Sequence, residues 1–165
     1  YYNLVLSVSG LDKSISISNY LNNFINSDSP QIEARFRSSL PGVSDPETPK
    51  VVIEAILNET IRGADAPYLL AGLISHHENG KNAWEIIKLN WEDLLKIMPE
   101  WTSSRILDGL PSVYDEHIGK DIQDFIKLNP LPSAEKLTKQ KFERLNANIK
   151  FKKSINSVLK KAKFV

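Results

Sequence analysis

The chain has 165 residues, 41% apolar and 25% charged, a balance that fits an ordinary folded domain and excludes a disordered or fibrous chain. It has no cysteine, which excludes disulfides, thiolate metal sites and thiol nucleophiles, and no apolar run nears the ~20 residues that span a bilayer. Net charge is only +1, yet Lys136 to Val165 hold ten bases against one acid, Glu143, so this stretch carries +9 and the remainder −8.

The start, Tyr1-Tyr2-Asn3-Leu4-Val5-Leu6, lacks the basic opening and long apolar stretch of a signal peptide. No initiator Met stands there, and Met98 is the only methionine, so we expect a piece of a longer chain. Leu4 to Val8 reads as the end of a helix. Ser18 then precedes a helical face of Tyr20, Leu21, Phe24 and Ile25, closed by Asn26 to Pro30. Ile32, Phe36 and Leu40, four apart, predict a short helix over 31–40. Asp45-Pro46-Glu47 is a start signal, because Asp caps free amides and Pro suits the first helical position. Val51, Val52, Ala55, Ile56 and Ile61 follow at helical spacing until Gly63. Asp65-Ala66-Pro67 repeats the signal before the apolar run Tyr68 to Ile74, and His76-His77-Glu78-Asn79-Gly80 closes that run.

Trp84, Ile87, Trp91, Leu94, Leu95 and Met98 recur at three and four, with Glu85, Lys88, Glu92 and Lys96 opposite, which predicts one helix ending at Pro99. Ile106, Leu107 and Leu110 mark a short helix before Pro111. Ile118, Ile122, Phe125 and Ile126 mark another, stopped by Asn129-Pro130-Leu131-Pro132. Ser133 is expected to cap a last helix whose apolar side is Leu137, Phe142, Leu145, Ile149, Ile155, Val158 and Leu159. Nothing alternates with period two for long. The fold class is therefore all-α: antiparallel helix pairs forming a curved HEAT- or armadillo-like α-solenoid fragment, with residues 1–165 as a single helical domain. Its predicted core includes Trp84, Trp91, Phe125, Phe142, Leu145 and Ile149.

Chemistry is hard to find in this chain. A thermolysin-like zinc site needs two His one helical turn apart, whereas His76 and His77 are adjacent and His117 is remote. Adjacent helical residues point roughly 100° apart, and these two sit beside Gly80 in a turn, so solvated loop histidines are expected. Gly10-Leu11-Asp12-Lys13-Ser14 hints at a phosphate loop, but Asp12 stands where a second Gly must precede the Lys, and its charge repels phosphate. Glu92-Asp93, Asp115-Glu116 and Asp121/Asp124 fall on polar helix sides, where solvation is the expected role. No G-x-S-x-G elbow occurs. No catalytic, metal-binding or cofactor-binding residue is assigned.

The basic C-terminal segment admits three readings: a solvated face aided by cations near a helix C-terminus, nucleic-acid binding, or docking against an acidic surface or anionic ligand. Nucleic acid is disfavoured, since Arg144 is the only arginine of the cluster and no recognised motif accompanies it. Arg144, Lys150, Lys152 and Lys153 are the candidates for contact with a peptide or another domain.

Three stretches together carry a resemblance. Ala83-Trp84-Glu85-Ile86-Ile87-Lys88-Leu89-Asn90-Trp91, preceded by Gly80-Lys81, resembles the "A-W-x-x-h-K-x-N-W" helix (h meaning apolar) of the C-terminal domain of aminopeptidase N-like zinc peptidases. The endoplasmic-reticulum and tricorn-associated aminopeptidases are the most similar members. Asp45-Pro46-Glu47 and Asp65-Ala66-Pro67 have the family's order and spacing, and the stretch from Phe125 to Pro130 fits too. Phe142-Glu143-Arg144-Leu145-Asn146-Ala147-Asn148-Ile149-Lys150-Phe151 is similar to the terminal "L-E-x-h-x-x-N-h-x-W", with Phe151 in place of Trp. The resemblance runs from about Asp45 to Val158. It implies a parent enzyme that removes N-terminal residues from peptides with one catalytic zinc. The H-E-x-x-H motif, its distant Glu and the G-A-M-E-N loop lie in an earlier domain of such enzymes, and none is present here. The resemblance further implies that this domain arches over the catalytic domain of the same polypeptide and encloses the peptide substrate. A cytoplasmic location is expected, with no membrane partner. The rival expectation is a stand-alone helical-repeat interaction scaffold.

Overall fold

The computed structural model describes residue 12 and residues 14–161, with side chains up to residue 159. The expected helix end at Leu4 to Val8 lies outside these residues. Within them every regular element is helical: nine α-helices and two 3-10 segments, with no strand. In chain order these are α1 (Ile17–Ile25), α2 (Pro30–Ser39), a short 3-10 turn (Leu40–Gly42), α3 (Thr48–Leu57), α4 (Ala66–Ser75), α5 (Gly80–Leu89), α6 (Trp91–Ile97), α7 (Glu100–Ser103), a long 3-10 segment (Ser104–Ser112), α8 (Glu116–Leu128) and α9 (Glu135–Lys161).

The start signals act in ways that spacing alone does not reveal. Ser16, two residues before the expected cap, accepts the Ser18 amide and starts α1. Asp45 does not cap the helix that follows it. Its carboxylate accepts the Ile17 amide at 2.9 Å and the Glu47 amide at 2.9 Å, tying the start of α1 to the loop before α3. Asp65 does precede α4, but its carboxylate serves Arg37 at 2.9 Å and Arg62 at 3.1 Å. Helix α3 stops at Leu57 rather than Gly63, because Glu59 turns left-handed at φ 60° and returns Ile61 to the core. Ser133 does not cap α9; it adopts φ 54° in the turn, and Ala134 stands between it and the helix.

The predicted helix from Trp84 to Met98 is two helices. Asn90 interrupts it with φ −112° and ψ 16°, and its side-chain amide donates to the Ile86 carbonyl at 2.8 Å. A side chain that bonds the preceding turn competes with the helical ladder, so the apolar stripe continues while the axis breaks. Trp84 and Trp91 still face one way. Both meet the Phe125 ring edge-on, with centroids 5.4 Å apart and rings crossing at 88° in each case. This arrangement suits aromatic quadrupoles and joins α5 and α6 to α8.

A single core runs from Ile17 through Ile149. Its most extensive seam is α4 against the long 3-10 segment. There Gly109 is buried so closely that an added Cβ would stand 2.3 Å from the Ala71 carbonyl oxygen. Among the described residues, every buried polar side-chain atom has a hydrogen-bond partner.

Candidate interdomain and ligand-contact surface

Helix α9 is 27 residues long, or roughly 40 Å at 1.5 Å per residue, and its two halves behave differently. The first half is seated. Leu145 and Ile149 are buried, and Leu137 and Phe142 are half-buried against the core. Gly119 of α8 makes room for the seat, since a Cβ there would lie 2.7 Å from Ile149 Cδ1. The Asn148 side-chain amide donates to the Pro111 carbonyl at 2.7 Å, and Gln123 and Asn146 exchange amide hydrogen bonds at 3.1 and 3.2 Å. From Lys150 to Val158 every side chain is exposed.

Part of the basic charge is answered by the chain itself. Lys141 meets Asp108 at 2.6 Å, Lys153 pairs with Glu116, and Lys152 stands 5.3 Å over the Tyr114 ring. The Lys153 bond holds the Glu116 carboxyl below its usual range. Glu116 is the first residue of α8; the preceding Asp115 caps that helix by accepting the His117 and Ile118 amides at 2.9 and 3.1 Å. Sequence reasoning missed Asp108, Tyr114 and Glu116 as seats for this helix. The available signal was their position in a body of net −8 opposite a +9 tail.

The four candidate residues do not form one patch. At 100° per residue, Lys150, Lys152 and Lys153 stand roughly 240°, 80° and 180° around the helix from Arg144. Arg144 and Lys150 are exposed to solvent, and Lys150 borders a shallow recess of about 330 Å³ with Lys120 and Gln123. Lys152 reaches the rim of a cleft of about 510 Å³ shared with His76, His77, Lys81, Tyr114 and Asp115. A second cleft of about 900 Å³ adjoins it at Ser75, His76 and His77 and extends past Tyr68 toward Arg37.

The histidine loop is only partly solvated. His77 is exposed as expected, but His76 is half-buried, and its Nδ1 accepts the Asn79 amide at 3.1 Å. Burial pushes the His76 imidazole below its ordinary value, favouring the neutral ring that this acceptor role requires. Asn79 is buried and donates to the Asp45 carbonyl at 2.9 Å, so the loop braces the α3 entrance. These residues do not fit a zinc site: His76 Nδ1 is occupied by an amide, and no cluster of three or more metal-ligating side chains occurs among the described residues.

Asp12 and Asp121 also have local roles. Asp12 accepts the Ser14 amide at 2.9 Å and hydroxyl at 2.7 Å, while Gly10, Leu11 and Lys13 lie outside the described residues. Asp121, expected on a solvated face, accepts the buried Trp84 indole N–H at 2.6 Å and Lys88 Nζ at 2.7 Å. The Lys88 bond is the main cause of a lowered Asp121 pKa. Burial acts against the Lys88 charge, but its bonds to Asp121 and Glu85 outweigh that and leave its pKa raised.

A family model described as "ERAP1-like C-terminal domain" matches residues 5–147. The chain belongs to this family. It is 29% identical over 131 residues to Aminopeptidase M1-B of Oryza sativa subsp. japonica, covering 77% of this chain and 14% of that protein. It is 27% identical over 133 residues to Aminopeptidase M1 of Arabidopsis thaliana, covering 78% of this chain and 15% of that protein. The family match and these relatives mark it as a C-terminal domain of an aminopeptidase. No described helix is long and apolar enough to cross a membrane.

Proposed function

We propose that this chain is the non-catalytic C-terminal helical domain, residues 1–165, of a zinc-dependent aminopeptidase that removes N-terminal residues from peptides. In this reading it encloses the substrate cavity and gates access to it. The observation that carries the reading is the family match over residues 5–147, joined to two aminopeptidase relatives of which the chain spans 14% and 15%. The zinc and its ligands belong to the catalytic domain of the same polypeptide, which is this domain's first partner, and the enclosed peptide is the second. The cysteine-free composition is in keeping with a cytoplasmic location.

Enclosure works physically by excluding water and bulky folded substrates, while interdomain motion admits and releases peptides. Stacked helix pairs suit the task because repetition builds a curved wall. Part of the basic α9 faces the catalytic domain or the cavity, where cations among Arg144, Lys150, Lys152 and Lys153 attract a carboxylate. The test is the parent enzyme with Lys150, Lys152 and Lys153 all changed to Glu. Long peptides should lose kcat/KM and salt dependence should flatten, while a minimal single-residue substrate is unaffected. Unchanged length preference and salt slope would remove this role for the cations. A parent enzyme inactive on peptides of every length would remove the aminopeptidase reading itself.

A further inference from the structure

Two clefts share one wall, and a single ring holds that wall in place. Ser75, His76 and His77 line both the cleft of about 900 Å³ and the one of about 510 Å³. The loop they open is tied to the residues around the 3-10 turn (Leu40–Gly42). His76 Nδ1 accepts the Asn79 amide at 3.1 Å, and the Gly42 backbone accepts from the other ring nitrogen. Asn79 then donates through its side chain to the Asp45 carbonyl at 2.9 Å and the Val43 carbonyl at 3.4 Å. One acceptor and one donor on the same imidazole require the neutral ring. A charged ring has two donors and no acceptor, so its Nδ1–H would meet the Asn79 N–H head on.

We propose that His76 is a proton-operated latch: charging its ring releases the α4–α5 loop from residues 42–45 and joins the two clefts into one trough. The other charged groups of the clefts are engaged elsewhere. In the larger cleft, Arg37 of α2 and Asp65 before α4 pair with each other at 2.9 Å. In the smaller one, Asp115 caps α8, Lys152 of α9 lies over Tyr114, and Lys81 of α5 acts on Asp115. Within the loop, Glu78 favours the charged ring and His77 opposes it. Burial opposes it most, so the latch is closed at neutral pH. A released ring recovers its ordinary value of 6.5, so opening takes up a proton. Between 6.5 and the folded value, the open fraction therefore rises about tenfold for each pH unit of acidification. By the same linkage, an occupant that seats only in the joined trough raises the pH at which the loop opens. The inference uses this chain alone and does not rest on the aminopeptidase reading.

The test is NMR of the isotope-labelled 165-residue chain, acidified from neutral pH through the titration of the His76 ring. Exchange of the Asn79 backbone amide, corrected for its intrinsic pH dependence, should lose protection about tenfold per pH unit below 6.5. The Asn79 side-chain amide signals should move in step with the ring, while the indole signal of the buried Trp84 stays in place. His76→Asn sets a non-titrating oxygen where Nδ1 stands and should abolish the pH dependence. His77→Gln, at an exposed neighbour, should keep it. Asn79 protection that holds while the His76 ring titrates overturns the proposal. So does a loss that persists in His76→Asn or vanishes in His77→Gln. A loss that the Trp84 indole signal shares also overturns it, because the whole chain is then unfolding.

Discussion

The α4 seam makes a quantitative test of the packing possible with one chemical change placed at two sites. At Gly109 a methyl group would meet backbone on the far side: the Ala71 carbonyl oxygen at 2.3 Å, its carbon at 3.0 Å and its Cα at 3.1 Å. Backbone cannot rotate aside as a side chain can, so α4 and the 3-10 segment must separate. Forced overpacking of this kind costs about 1–3 kcal/mol. At Gly42 nothing lies within 4 Å of the same methyl, and the backbone is not left-handed. There Gly→Ala should stabilise by about 0.4–1 kcal/mol, by restricting the unfolded chain. A chain of this length has a total stability of about 8–25 kcal/mol, so neither variant unfolds outright. With a urea slope of about 2 kcal/mol/M, Gly109→Ala should lower the midpoint by about 0.5–1.5 M, and Gly42→Ala should raise it slightly. Melting temperature should fall by about 2–12 °C in the first case. Equal midpoints for Gly109→Ala and the unaltered chain, at equal slope, would refute the close approach of these two segments.

Three further outcomes follow from the geometry. Asp121→Ala leaves the buried Trp84 indole N–H without its acceptor and should cost about 1–3 kcal/mol in urea unfolding. Asp121→Asn keeps an acceptor oxygen and should cost less, and identical losses would discount the 2.6 Å bond. Trp101 is 78% exposed whereas Trp84 and Trp91 are 1% and 4% exposed, so Trp101→Phe should abolish most acrylamide-quenchable fluorescence and leave a blue-shifted residue; persistent quenching would contradict this burial. The lowered His76 pKa contributes stability that is complete above the ordinary value of 6.5 and is lost as pH falls through it toward the folded value. His76→Gln should therefore flatten the stability profile as pH falls below the ordinary imidazole value. Asp121→Asn should flatten it only at lower pH, because a depressed carboxylate stabilises above its unfolded value and loses that contribution on acidification.

Helix identity was legible in the sequence because burial follows periodicity: the stripe of Trp84, Ile87, Trp91 and Leu94 is buried throughout. The break at Asn90 was not legible, because an apolar stripe keeps its phase across a one-residue interruption. Start signals located helices but not their bonds. Asp45 and Asp65 stand beside the right helices, yet their carboxylates serve Ile17, Arg37 and Arg62, 28, 28 and 3 residues away along the chain. Such partners are set by tertiary packing. The basic tail was legible as charge and not as a site, since a tally of lysines does not say which of them meet Asp108, Tyr114 or Glu116.

The way that charge is handled suggests what it is for. Ion pairs at a surface contribute about 0–1 kcal/mol each, so Lys153–Glu116 and its like do little to hold α9 in place. Leu145, Ile149 and the Gly119 seat already do that. Stability therefore gives no reason to gather ten bases in the last thirty residues. A separated field of −8 and +9 does act beyond contact distance, over about 8 Å at physiological salt. It orients approaching partners and raises encounter rates in a salt-dependent way. The exposed half of α9 adds to that field the uncovered side chains of Phe151, Ile155 and Val158. Its sequence is thus better accounted for by what this domain meets than by how it folds.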